Sequence, residues 1–299
     1  MPDFGIMRGF NDKLFGDKLV AGQLPTQLGL IGSLNITPFL LDLYPNASAA
    51  YSLRLLRGAY TGSAIRVRRS SDNAESDIGF SGENLDTSAL TSFCSGTDGF
   101  VTTWYDQSGN AKNVTQTTAI YQPQIVSSGN VININSKPSI KMNSVFDILR
   151  YQGTGGTSSS NTMAVVFKFN NIGGYGVTMA MGNTNTTSFA LLGSGAGNLR
   201  SLYSLGQESR DGSYTTNQEI WGSTTALSSA KFWFNGTSQT ITNPSVTYTA
   251  NLADISIGND PSGSTRLPNM QECVYWAVTQ TDTDLVGINK NQNTYFNVY

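Results

Sequence analysis

The chain has 299 residues, 18 Lys and Arg against 20 Asp and Glu, two cysteines and no histidine. The missing histidine excludes a Ser-His-Asp triad, an imidazole-ligated zinc and a histidine pH switch, and two cysteines cannot hold a four-cysteine metal site or an iron–sulfur cluster. Only 13% of the chain is charged, about half the usual share, and the net charge of −2 argues against a nucleic-acid partner, so no metal, cofactor or nucleic acid is expected.

The opening stretch MPDFGIMRGFNDKLFGDKLVAG carries charges throughout and does not read as a secretory signal. No apolar run approaches the 18 residues of a membrane-spanning helix, so membrane insertion is not expected. Residues 1–48 are loosely apolar and irregular and read as an N-terminal arm. Such an arm either wraps a neighbouring subunit or covers an edge of its own domain. Residues 49–299 form the domain proper.

Ala50, Leu53 and Leu56 lie at helical spacing, which predicts one or two helical turns over residues 47–57. Ala64 to Arg69 reads as a strand with Ile65 and Val67 inward and Arg66 and Arg68 outward. The five arginines from Arg54 to Arg69 are matched by Asp72, Glu75, Asp77 and Glu83, which predicts ion pairing. Phe100 to Tyr105 is a strand ending in the turn sequence Asp106-Gln107-Ser108-Gly109-Asn110. Shorter strands are expected over 120–125, 129–134 and 138–142.

Met163, Val165, Phe167 and Phe169 alternate with Ala164, Val166 and Lys168, the clearest β signal in the chain. Strands follow over 177–181, 188–192, 199–205, 219–222 and 231–234, the last ending in the hairpin dipeptide Asn235-Gly236. Ala253 to Gly258 is a strand opening into Asn259-Asp260-Pro261-Ser262-Gly263. Glu272 to Val278 has no polar side and reads as buried on both faces. Thr281 and Asp284 resemble a capping box, and Leu285, Ile288, Gln292 and Tyr295 or Phe296 mark a short amphipathic C-terminal helix. About a dozen short strands with few helices predict two antiparallel sheets packed face to face. Cys94 and Cys273 are separated in sequence, and their pairing is left open.

Two stretches carry a family resemblance. Residues 50–126 contain RVRRSSDN, SFC and YDQSGN followed by N and TQ, and residues 255–278 read ISIGNDPSGSTRLPNMQECVYWAV. Both resemble the catalytic domain of the arabinofuranosidase B family. The resemblance implies an all-β, antiparallel, concanavalin-like (laminin-G-like) jelly-roll sandwich preceded by the irregular arm. Domains of this kind also occur in structural proteins of tailed phages.

A retaining glycosidase needs two carboxylates about 5–5.5 Å apart. The resemblance implies that Asp260, in Gly258-Asn259-Asp260, is the acid/base. It places the nucleophile strand, where the family has a segment like ADMENG, at Val177 to Asn185, and that stretch holds no carboxylate. Glu208, Asp211 and Glu219 replace it only through a rearranged site. The sequence therefore leans away from an active enzyme. It favours a phage virion structural protein, surface-exposed on head or tail and assembled in the host cytoplasm, that binds other virion proteins, forms a homo-oligomer (a trimer by analogy with fibre proteins) through residues 1–48, and recognises host or environmental glycans. Trp104, Tyr105, Asp106, Asn259, Asp260 and Arg266 are the candidate glycan contacts, since aromatic faces stack on sugars and amides, carboxylates and guanidinium groups read hydroxyls. The alternative is an arabinofuranosidase-like glycoside hydrolase acting on arabinofuranosides.

Overall fold

The computed structural model describes residues 38–171, 174–182, 189–194, 199–204, 207–226, 229–242, 249–258 and 267–299. The main strands are β1 Ala49–Ser52, β2 Ile65–Arg69, β3 Glu75–Ile78, β4 Gly99–Trp104, β5 Val114–Thr115, β6 Gln124–Ser127, β7 Ile140–Lys141, β8 Ile148–Gln152 and β9 Ser160–Phe169. They continue as β10 Gly176–Met181, β11 Phe189–Ser194, β12 Leu199–Ser204, β13 Gln207–Ser213, β14 Gln218–Ala226, β15 Ser229–Phe234, β16 Thr237–Gln239, β17 Asp254–Gly258 and β18 Pro268–Trp276. Three helices accompany them: α1 Leu40–Leu43, α2 Thr87–Cys94 and α3 Asp282–Phe296.

Every pairing between these strands is antiparallel, as the sandwich reading requires. The back sheet runs β16-β15-β14-β9-β18, with β1 and β7 side by side on the far edge of β18. The front sheet runs β13-β12-β11-β10-β17-β8-β5-β4-β2-β3. Pairings of β4 with β6 and of β6 with β7 join the two sheets along one side.

The alternation read in β9 decides the layering. Met163, Val165, Phe167 and Phe169 enter the large core between the sheets, with Trp104, Trp221, Tyr275, Ile255 and Ile257. The opposite face of the back sheet is covered by α3, where Ala164, Val274 and Trp276 meet Leu285 and Ile288. This second layer explains why β18 is buried on both faces. The capping box of α3 forms as expected, with Thr281 and Asp284 bonding reciprocally.

The predicted helix over 47–57 is instead strand β1, paired through Ala49–Ser52 with Tyr275–Glu272. All four of its residues are buried, because the core lies on one side and the α1–α3 layer on the other. Burial on both faces erases the period of two, and the helical spacing there was accidental.

The chain divides into two compact units, residues 1–37 and 38–299. Most of the predicted arm lies outside the described residues. Its last part belongs to the sandwich unit, where Leu40 and Leu41 of α1 are buried in the layer beneath α3. Cys94 and Cys273 are both buried and both free thiols.

Candidate functional site

Strand β17 lies near the middle of the front sheet, between β8 and β10, and all five of its residues are buried. It ends at Gly258, whose φ is +106°. A Cβ there would sit 2.6 Å from Met142 Cε and 3.1 Å from the Asp147 carbonyl oxygen. Only glycine fits both the backbone and the space. The strand is therefore held tightly at the point where the chain leaves the sheet toward Asn259 and Asp260. Asn259, Asp260 and Arg266 themselves lie outside the described residues.

Asp147 and Asp254 sit beside and in the front sheet, and Glu219 and Glu272 in the back sheet. Asp147 immediately precedes Ile148, the register partner of Gly258. It is 2% exposed, its Oδ2 accepts from Asn143 N at 2.7 Å, and burial pushes its pKa above the usual aspartate value. Asp254 opens β17 and accepts from Arg150 Nη2 at 2.9 Å. Four residue steps along the strand separate it from Gly258, about 13 Å, beyond the spacing of a retaining pair at that end. Glu219 is buried on β14, where Oε1 accepts from Thr215 N and Oγ1 and Oε2 from Trp221 Nε1. Oε1 thus holds the turn before β14, and Oε2 holds the Trp221 indole of β14 itself. Glu272 is clamped by Arg54, Ser52 and Gln292 beneath α3. The side chains of Glu208 and Asp211 lie outside what is described.

Strand β10, beside β17, carries the segment that resembles the nucleophile strand. Ala180 pairs with Ser256 and Met179 with Ile257. Laid over Val177–Gly182, the ADMENG pattern keeps its Met at Met179 and its Gly at Gly182, and its acid falls on Ala180. Ala180 is buried with Val177 and Ala190, and no carboxylate stands on the described part of this segment.

The other three sequence candidates lie elsewhere. Trp104 is fully buried, its ring 6.0 Å from that of Tyr51, and offers no face to a sugar. The Tyr105 hydroxyl donates to Asp77 Oδ1 at 2.7 Å. Asp106 accepts four hydrogen bonds, from Ala50 N, Ser108 N, Ser108 Oγ and Lys112 N, and so fastens the 106–112 loop to β1. Register fixes the distance between Trp104 and the strand end at Gly258. Thr103, Thr115, Arg150 and Ser256 form one row across β4, β5, β8 and β17. From that row β4 runs on to Trp104 in one direction and β17 to Gly258 in the other. Three strand spacings and three residues of rise put Trp104 on the order of 17 Å from Gly258. Trp104 thus lies well away from the strand end at Gly258, which precedes Asn259 and Asp260 in the sequence.

What sequence reasoning missed is the described part of the Gly258 end: Asp147, with Phe146 and Tyr121 beside it. Phe146 and Tyr121 form a ring pair with centroids 5.5 Å apart. The only available signal was the Asn143-Ser144 turn pair before Phe146, which carries no chemistry by itself. Among the described residues no group of three or more Cys, Asp or Glu side chains is placed to hold a metal ion.

Comparison with known proteins bears on function. The family described as "Alpha-L-arabinofuranosidase B, catalytic" matches residues 42–228, more than half of the chain. A probable α-L-arabinofuranosidase B of Aspergillus terreus is 35% identical over 99 residues, 30% of this chain and 20% of that protein. The corresponding protein of Aspergillus fumigatus is 38% identical over 98 residues, covering 30% and 19%. The chain thus matches about a fifth of the length of these curated relatives. A GH54 arabinofuranosidase soaked with a cyclic sulfate inhibitor superposes with a TM-score of 0.65 at 18% identity, over 85% of this chain and 64% of that one. A second structure, an arabinofuranosidase complexed with arabinofuranosyl-α-1,2-xylobiose, gives 0.64 at the same identity and coverage. These likenesses show a shared sandwich. The family match and the curated relatives overturn the expectation of a virion structural protein on a phage head or tail, and with it the virion location. Low charge and an irregular arm are general features, and the family motifs carry the more specific information. The chain belongs to the α-L-arabinofuranosidase B catalytic-domain family.

Proposed function

We propose that this domain acts on α-L-arabinofuranosides as a glycoside hydrolase. The observation that carries this reading is the family match over residues 42–228, supported by the sandwich shared with arabinofuranosidases. In this reading the site lies where β17 leaves the front sheet, and Asp260 gives a proton to the departing glycosidic oxygen and later takes one from the attacking water. Gly258 and the buried strand behind it fix the strand end two residues before Asp260 in the sequence.

One observation favours a second reading, arabinofuranoside binding without turnover. Ala180 stands where the family pattern has its acid, and a double displacement needs both carboxylates. Incubation with 4-nitrophenyl α-L-arabinofuranoside separates the two. Release of nitrophenol that is lost in Asp260→Asn supports hydrolysis. Saturable binding of the intact glycoside with no release supports the second reading.

A further inference from the structure

An exposed aromatic group sits at the same end of the front sheet as Gly258 and takes no part in the core. Ile120 is 75% and Phe146 49% exposed, and the Tyr121 ring packs against Phe146 at 45°. Two short loops present these side chains, and both are fastened to the start of β8.

The first loop is the turn 143–147. Asp147 Oδ2 accepts from Asn143 N, Ser144 Oγ accepts from Phe146 N, and the Ser144 carbonyl accepts from Asp147 N. A buried carboxylate is costly, and here the bond it accepts from the Asn143 amide closes a turn with Phe146 at its surface. The second loop is the 3-10 turn Ala119–Tyr121. Gln116 ties it down, accepting from Thr118 N and donating to the Ile148 carbonyl at 3.0 Å. Ile148 is the residue paired with Gly258. Both loops thus converge on the strand end that leads to Asp260.

Rigid, half-exposed rings cost little further entropy when a ligand covers them. The remaining side chains of the two loops are Gln, Thr, Asn, Ser, Ala and Val; Asp147 is buried, and the guanidinium of Arg68 against the second loop is engaged by the Ala119 carbonyl, Gln122 Oε1 and Asn73 Oδ1. An apolar ring face beside neutral hydroxyl and amide groups suits a neutral sugar, which has C–H faces and hydroxyl edges. Three side chains are too few for a stable protein interface, which buries about 1,200 Å² or more.

We propose that Phe146, Tyr121 and Ile120 form a stacking platform for a second sugar residue of an arabinose-containing chain whose first residue occupies the Asp260 end. The proposal rests on the arabinofuranoside reading above. The platform adds affinity for oligomers and none for a single glycoside.

The test is titration calorimetry on the full chain with arabinohexaose and with methyl α-L-arabinofuranoside. Phe146→Ala is expected to weaken arabinohexaose binding about tenfold or more, to leave the single glycoside unchanged, and to keep the native melting temperature; Phe146→Trp retains binding. Unchanged arabinohexaose affinity in Phe146→Ala overturns the platform and leaves the arabinofuranoside reading standing. Equal losses for both ligands also overturn it. So does a concentration-dependent dimer that Phe146→Ala dissolves. If the wild type binds neither arabinose ligand but binds xylohexaose through Phe146, the platform stands as a sugar surface and the arabinofuranoside reading falls.

Discussion

Replacing Asp106 with alanine tests whether this residue holds the fold or meets a ligand. The side chain is 4% exposed and accepts four hydrogen bonds. The Ala50 amide lies inside a fully buried strand and finds no other acceptor, which costs about 1–3 kcal/mol. The Ser108 and Lys112 groups lie on a partly exposed loop and recover part of their bonding from water, so they add about 1 kcal/mol each. Asp106→Ala is therefore expected to lose about 3–5 kcal/mol. Asp106→Asn keeps one acceptor oxygen and is expected to lose about half as much. Urea unfolding at constant pH measures both, with an unchanged slope showing that the unfolded state is not altered. In Asp106→Asn, affinity for methyl α-L-arabinofuranoside should match the wild type. A stability loss under about 1 kcal/mol, or a selective loss of sugar affinity in Asp106→Asn, refutes the structural assignment.

Other substitutions probe the core and the strand end. Arg54 forks onto Glu272, Nε to Oε2 at 2.7 Å and Nη2 to Oε1 at 3.0 Å, and both residues are buried. Glu272→Ala leaves a buried guanidinium unpaired and should cost about 3–5 kcal/mol, while the double change Arg54→Met with Glu272→Leu recovers much of it, as read by urea unfolding. Burial holds the Glu219 carboxyl above its usual value of 4.5, despite the bonds from Thr215 and Trp221 that pull it down. The folded state therefore keeps a proton that the unfolded chain has released. Stability from this group is greatest at low pH and falls as pH rises from about 4.5 through the raised folded value. Glu219→Gln should flatten that part of the urea-midpoint profile, and an unchanged profile contradicts the assignment. Gly258→Ala forces a Cβ against Met142 and the Asp147 carbonyl at a left-handed φ, and should cost about 1–3 kcal/mol in thermal or urea unfolding.

Local patterns were legible where one physical rule acted alone. The alternation of β9, the Asn235-Gly236 hairpin and the Thr281–Asp284 capping box all appear where the sequence placed them. The arginine cluster pairs as expected in part, Arg66 with Glu75 and Asp77 and Arg69 with Asp72, whereas Arg54 pairs with Glu272 and Arg68 bonds Gln122 and Asn73. Patterns failed where two layers overlapped. β1 is buried on both faces, so its residues carry no strand period. Helix α2 went unread although Asp86 caps it, accepting from Ala89 N, because only Leu90 and Cys94 are buried on its short inner face. The surroundings of the candidate site were less legible. The motif around Gly258 marks a strand end, yet which loops share that end depends on register across β4, β5, β8 and β17, and a single sequence does not encode register locally. Trp104 looked like a sugar platform and fills the core, while Phe146, in a segment with no motif, sits on the surface beside Asp147.

The central claim is that this domain recognises α-L-arabinofuranosides at the strand end leading to Asp260. The most direct measurement is a titration of the full chain with 4-nitrophenyl α-L-arabinofuranoside, following heat and nitrophenol together, for wild type and Asp260→Asn. The account predicts saturable binding by the wild type, with nitrophenol release that the substitution abolishes. Neither binding nor release by the wild type, at glycoside concentrations into the millimolar range, would contradict it.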